Sequence, residues 1–180
     1  MILKSERLYL RMPVQEDAPL RHEWFNDPQF TRLYLGRPTY TTYKQIEEEV
    51  KFAALPASYT GMMELALLTT DNNRYIGNTF FRKINMADRS AEYGIFIGAQ
   101  DLWGGHFGTE VTRIMVDYGF NELGFNRIWL TVLSFNHRAI SCFEKCSFKN
   151  EGVFRKAIFS GGTFNDVYSM SILEEDHIQK

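Results

Sequence analysis

The stretch that most limits how this chain can fold runs from Tyr93 to Leu133. An apolar, strand-like run, Tyr93 to Ile97, leads into Trp103-Gly104-Gly105-His106-Phe107-Gly108-Thr109-Glu110. That glycine-rich turn opens an amphipathic helix. Phe107, Val111, Ile114, Met115 and Tyr118 recur at helical spacing, Gly124 closes the element, and Arg127 to Leu133 reads as another strand. A strand–helix–strand unit of this length places two parallel strands in the middle of a sheet. The turn has the chemistry of an anion cradle, because glycines admit close approach and the first helical N–H groups point at the guest. It is equally an ordinary strand-to-helix connection, and the segment alone leaves both readings open. A Walker A loop would need Gly-Lys-Ser/Thr, whereas Gly108 is followed by Thr109 with no Lys. A G-x-G-x-x-G fingerprint would put its first glycine on Trp103.

The rest of the chain supplies the remaining layers. Arg7 to Met12 alternates, with Leu8, Leu10 and Met12 on one face. Pro13 ends that strand, and Gln15-Glu16-Asp17 opens a helix to about Phe25. Asn26-Asp27-Pro28 breaks the chain, and residues 28–40 read as irregular. Thr41 or Thr42 caps a helix to about Leu55, with Gln45 at the capping-box spacing after Thr42. Pro56 to Gly61 reads as a loop. Met63 to Thr69, Tyr75 to Ile84 and Arg89 to Ile97 form an antiparallel meander. Asn136 starts a short helix to about Cys146, and two last strands flank Ser160-Gly161-Gly162. The order β-α-α-β-β-β-α-β-α-β-β predicts an α+β fold: a mixed, mostly antiparallel central sheet with flanking helices. Its 180 residues suit one domain spanning 1–180.

Composition narrows the function classes. A net charge of −2 lacks the basic excess of a nucleic-acid footprint. The apolar runs fall far short of the ~20 residues of a membrane span. No signal peptide is visible after Met1-Ile2-Leu3-Lys4, so the expected compartment is the cytoplasm. Cys142 and Cys146 are too few for structural zinc or a disulfide framework. They read as small core or semi-core residues in a reducing compartment, and no metal is expected.

Several segments, in order and at matching spacing, resemble the GNAT superfamily of N-acetyltransferases. They are Ser5-Glu6-Arg7-Leu8-Tyr9-Leu10-Arg11, Trp24-Phe25-Asn26-Asp27, Ile76-Gly77 and Ala91-Glu92-Tyr93-Gly94-Ile95. The glycine-rich turn, Asn136-His137-Arg138-Ala139-Ile140 with Phe143 to Phe148, Glu151-Gly152 and Asp166 to Met170 complete the pattern. The resemblance runs from about Ser5 to Glu174. It is closest to the branch holding the ribosomal-protein N-terminal and polyamine acetyltransferases.

The resemblance implies an acyl-CoA N-acyltransferase fold in which the strands at Arg89–Ile97 and Arg127–Leu133 splay apart. It implies acetyl-CoA as co-substrate. The pyrophosphate would rest on the amides of Gly104, Gly105, His106, Phe107, Gly108 and Thr109, and the pantetheine along Ile95, Phe96 and Ile97. Asn136 would reach the pantetheine, and Phe143 would line the thioester end. A backbone N–H near Phe96 would receive the developing oxyanion. Glu92, on one strand face with Gly94 and Phe96, is the candidate base, against a structural role pairing an Arg or Lys. Phe143 stands where many members carry a proton-donating Tyr, and Ser134 is the candidate substitute. His106 and Ser147 stand where glycine is usual.

The acceptor would be a primary amine: a protein N-terminus, polyamine, aminoglycoside or amino sugar. Its site would be built from the first two helices, the loop between them and the hairpin around Gly161. Asp27, Glu47, Glu48, Glu49 and Asp166 are the carboxylates that could favour a cation, although Glu47 to Glu49 also read as a solvated helix surface. Homodimers are common in the family. The alternative is a non-catalytic acyl-CoA-binding module.

Overall fold

The computed structural model describes residues 3–178. Its strands are β1 (Leu3–Lys4), β2 (Leu8–Arg11), β3 (Met63–Thr69), β4 (Tyr75–Asn85), β5 (Ser90–Ile97), β6 (Arg127–Leu133), β7 (Lys149–Ser160) and β8 (Thr163–Leu173). Its helices are α1 (Ala18–Phe25), α2 (Pro28–Leu35), α3 (Tyr43–Ala53), α4 (Ala57–Thr60), α5 (Phe107–Asn121), α6 (His137–Glu144) and α7 (Glu174–Ile178). The strands form one eight-stranded sheet in the order β1-β2-β3-β4-β5-β6-β8-β7. Only β5 and β6 run parallel, so the mixed, mostly antiparallel sheet expected from the element order is what forms.

The parallel pair is short. Ser90, Ala91 and Glu92 face Arg127, Ile128 and Trp129, and there the pairing stops. β5 runs on to Ile97 and β6 to Leu133 without a common ladder. The two strands splay, as the resemblance implies.

Each sheet face has its own core. On one, Val111, Met115 and Phe120 of α5 pack on Ala91, Ile128 and Leu130. Tyr93 and Thr112 hydroxyls meet at 3.0 Å, and Thr112 donates to Gly108 O. On the other, Phe96 projects into the rings of α1 and α2, with centroids 5.4 Å from Phe25, 5.8 Å from Phe30 and 5.3 Å from Tyr34. Edge and tilted ring pairs of this kind contribute about 0.5–1.5 kcal/mol each beyond area burial. Trp24 is buried there as a core anchor, lying so close to Gly98 that a Cβ on that residue would sit 1.8 Å from the indole.

The expected irregular stretch after Pro28 is corrected by α2. The Asp27 side chain accepts from Phe30 N at 2.8 Å. Pro28 opens the helix, where its missing N–H removes no helical bond. Gly36, at φ 82°, closes it in the left-handed conformation. The Asn-Asp-Pro that ends α1 therefore also begins α2. The Thr42–Gln45 capping box of α3 forms as read. One turn, α4, occupies the expected loop before β3, and β1 and α7 were not anticipated. Among the described residues no helix is long and apolar enough to cross a membrane.

Candidate active site

The glycine-rich turn is held from outside. Arg7 donates to Gly105 O at 3.1 Å, pairs with Glu110 and stacks its guanidinium 4.4 Å from the Phe107 ring centre. The Trp103 indole donates to Ile97 O at 2.8 Å. His106 has φ 65° and Ser147 φ 69°, so both positions where the family carries glycine are left-handed here. That geometry costs an L-residue about 1–2 kcal/mol, and the His106 side chain is exposed. Glu110 N makes its helical bond to His106 O, leaving the preceding first-turn amides of α5 pointing out of the helix end.

Those amides open onto a cavity of about 260 Å³ that includes Ile95, Phe96, Ile97, Gly108, Thr109 and Phe143 in its lining. Gly104, His106, Phe107 and Asn136 also line it, so most of the sequence-predicted cofactor residues converge; Gly105 does not line it. α6 and its C-cap add two cations that sequence reasoning missed, Arg138 and Lys145, with Arg138 stacked 3.9 Å from the Trp103 ring centre. Their spacing from Cys142, one turn before and nearly one after, puts all three on one helix face, a signal the sequence does carry.

A second cavity, about 320 Å³, lies against β4, β5 and β6. Leu33, Tyr34, Ile95, Asn136, Ala139 and Phe143 line both, so the two meet in the splay. Leu33 and Tyr34 come from α2, which stands in place of the expected irregular stretch. Burial pushes the Tyr34 phenol up to about 12, so it stays protonated.

The backbone of β5 sorts itself between the two sides. Arg89 O accepts from Asn126 and Arg127 at the start of β6, and Gly98 N bonds Ile76 O of β4. Alternation then turns the peptide groups of Ala91, Tyr93, Ile95 and Ile97 toward β6, and those of Glu92, Gly94 and Phe96 toward β4. Trp103 already occupies Ile97 O. The peptide groups offered to the slot are therefore those flanking Phe96, and the Phe96 N–H itself belongs to the β4 side.

Glu92 is the one carboxylate lining either cavity among the described residues. It is 3% exposed and sits opposite Arg82 across the β4–β5 hairpin. Arg82 Nη2 reaches Oε1 at 2.6 Å and Lys83 Nζ reaches Oε2 at 2.9 Å. Adjacent strand residues normally point to opposite faces. Here the register shifts after Arg82, and Lys83 has φ 51°, so this bulge lets both cations reach one carboxylate. Burial pushes the Glu92 carboxyl up, but the hydrogen bonds and charges of Arg82 and Lys83 outweigh it and hold the group below the usual carboxylate range.

The other predicted residues are placed as follows. Asn136 caps α6 by accepting from Ala139 N at 3.2 Å, and it donates to Leu33 O at 3.0 Å, tying α6 to α2. Phe143 packs on Tyr93 and Phe148. Ser134 bonds Asp166 O through its backbone N–H and lines neither cavity. Of the acidic residues, Asp27 caps α2, Glu49 lies 3.4 Å from Arg21, and Asp166 accepts from Lys156 N. None of Asp27, Glu47, Glu48, Glu49 or Asp166 lines either cavity. The hairpin around Gly161 contributes Ile158 and Val167 to the second cavity instead.

A family model described as "Acetyltransferase (GNAT) domain" matches residues 7–149. An uncharacterized N-acetyltransferase of Bacillus licheniformis is 28% identical over 97% of this chain and 97% of its own length. A spermidine N(1)-acetyltransferase of Vibrio cholerae is 32% identical over 58% of this chain and 60% of its own length. Among solved structures, spermidine N-acetyltransferase from Vibrio cholerae in complex with CoA and spermine superposes with a TM-score of 0.85 at 25% identity. That match covers 97% of this chain and 99% of the other. With the splayed strands, the helix-end cradle and these matches in agreement, the chain belongs to the GNAT acetyltransferase family.

Proposed function

We propose that this protein transfers the acetyl group of acetyl-CoA directly to the nitrogen of a primary amine. The observation that carries the reading is the slot between β5 and β6, where a cavity running to the α5 N-terminus meets a second cavity. The residues present fit the cofactor chemistry. Helix-end amides, Arg138 and Lys145 suit phosphates. The outward peptide groups of β5 suit an extended amide-bearing arm, and apolar Ile95 and Phe143 suit a thioester. Acetyl-CoA supplies the activated acyl group when bound. The chain holds the two reactants in line, excludes water and offers the Ile95 or Ile97 N–H to the carbonyl oxygen.

The amine must arrive or become neutral. An alkylammonium has a pKa near ~10, and Glu92 is the carboxylate in position to take its proton. Because Arg82 and Lys83 hold Glu92 below its ordinary value, direct transfer to it from an alkylammonium is uphill. Glu92 thus serves best by receiving the proton through water while a small neutral amine fraction reacts. With Phe143 carrying no hydroxyl and Ser134 outside the slot, the thiolate leaves with its proton drawn from the reacting amine or solvent.

Polyamines head the acceptor classes, because relatives are spermidine acetyltransferases and one solved neighbour holds spermine. Protein N-termini, aminoglycosides and amino sugars complete the set. The test is CoA release from acetyl-CoA against spermidine, an aminoglycoside, an amino sugar and short peptides. Turnover with one class supports the transfer and names the acceptor. No turnover anywhere, with CoA still bound, would overturn it in favour of a binding-only module.

A further inference from the structure

Cys142 and Cys146 take no part in the proposed transfer, yet both sulfurs converge on one residue of α5. Cys142 Sγ lies 3.5 Å from Thr109 Oγ1 and 4.0 Å from Thr112 Oγ1. Cys146 Sγ donates to Thr109 O at 3.5 Å. The Cys146 thiol also hydrogen-bonds Cys142. That bond is the largest influence on the Cys142 thiol and, against the opposing effect of burial, brings it down to about 6, with Thr109, Thr112 and Lys145 assisting. Thr109 lies in the first turn of α5, where the helix end favours negative charge.

The two thiols differ in access. Cys142 is half-buried and lines the first cavity, whereas Cys146 is 3% exposed behind it. The Cys146 N–H bonds Phe143 O as α6 ends, which keeps the two sulfurs within hydrogen-bond contact, the approach a disulfide needs. Cys146 also follows the last helical residue, Glu144, and precedes left-handed Ser147, so its backbone is outside the regular helix. An accessible, acidified thiol backed by a second one within contact is the arrangement of peroxide-responsive cysteines.

We propose that Cys142 and Cys146 form a dithiol–disulfide pair in the cofactor cleft, with Cys142 reacting first with a hydroperoxide and Cys146 resolving it. The Cys142 thiolate attacks one peroxide oxygen, and the O–O bond breaks. The other oxygen leaves with a proton from solvent, as water from hydrogen peroxide. Cys142 is then a sulfenic acid, oxidised by two electrons as the peroxide is reduced. The Cys146 sulfur attacks the Cys142 sulfur and gives up its proton. The sulfenic hydroxyl leaves with that proton as a second water, and the S–S bond forms. Drawing Cys142 toward Cys146 moves its sulfur from beneath Gly108, where a Cβ would meet it at 3.4 Å, and so reshapes the wall of the cofactor cleft.

The test is hydrogen peroxide treatment of the full chain, followed by trypsin under non-reducing conditions. Cleavage after Arg138, Lys145 and Lys149 puts the two cysteines on separate peptides, 139–145 and 146–149. The expected result is that these peptides appear joined with the loss of two hydrogens, and separate again on adding a dithiol reductant. In the Cys146→Ser variant, a dimedone adduct should accumulate on Cys142. Unlinked peptides in the wild type, or dimedone labelling centred on Cys146 in the Cys142→Ser variant, would overturn the pair. The readout is a covalent mass and uses no acyl donor or amine, so it stands or falls apart from the transferase reading.

Discussion

A carboxylate that is 3% exposed yet ionised at neutral pH is unusual enough to deserve a direct test at Glu92. Its partners Arg82 and Lys83 are largely in water, with 48% and 65% of their side chains exposed, so they can reorganise if Glu92 changes. Glu92→Gln should lower kcat at least roughly 10-fold while leaving KM for acetyl-CoA unchanged, read in steady-state kinetics. It should cost about 1–3 kcal/mol of stability, because buried hydrogen bonds to charged partners are lost. Unchanged kcat with the stability loss would confine Glu92 to pinning β4 against β5. Alternation along the strand suffices to read Glu92 from sequence. Its two cations are not legible, because the pairing depends on a bulge at Lys83 that local pattern does not announce. The same holds for Phe96: its place on the strand is legible, but which of its neighbours offers an N–H to the slot depends on register.

α2 carries the largest gap between sequence pattern and structure at the level of elements. Local signals for it exist: an Asp cap, Pro at the first position and Gly after the last. They were masked because Asn26-Asp27-Pro28 serves as the stop of α1 as well. The omission matters because α2 brings Phe30, Leu33 and Tyr34 to the cleft. Removing the cap by Asp27→Ala should destabilise the protein by about 1 kcal/mol, a drop in Tm of roughly 2–4 °C. It should also raise KM for acetyl-CoA, since α2 forms one wall and Asn136 bonds to Leu33 O. A lowered Tm with unchanged KM would mean that the wall does not depend on the cap. β2 to β8, α3 and α5 are legible because their periodicity is undisturbed by such double-duty residues.

Across the whole molecule, cofactor binding and stability should be linked through the slot. A ligand at about 100 times its Kd adds roughly 2.7 kcal/mol to the folded state, or a Tm rise of about 5–10 °C at this size. CoA should produce that rise in a thermal melt. Pantetheine, which lacks the groups suited to Arg138, Lys145 and the helix-end amides, should produce far less. Equal rises would remove the phosphate cradle from the picture. The splay has a mechanical side as well. β1 to β5 make one half-sheet, and β6, β8 and β7 make the other. Only three residue pairs stitch them together by strand. The gap in which the chemistry is placed is thus also a seam, with α5 and the side chains bridging it as its remaining thread. A load drawn across the strands would part the protein there, along the line of the cleft proposed for the transfer.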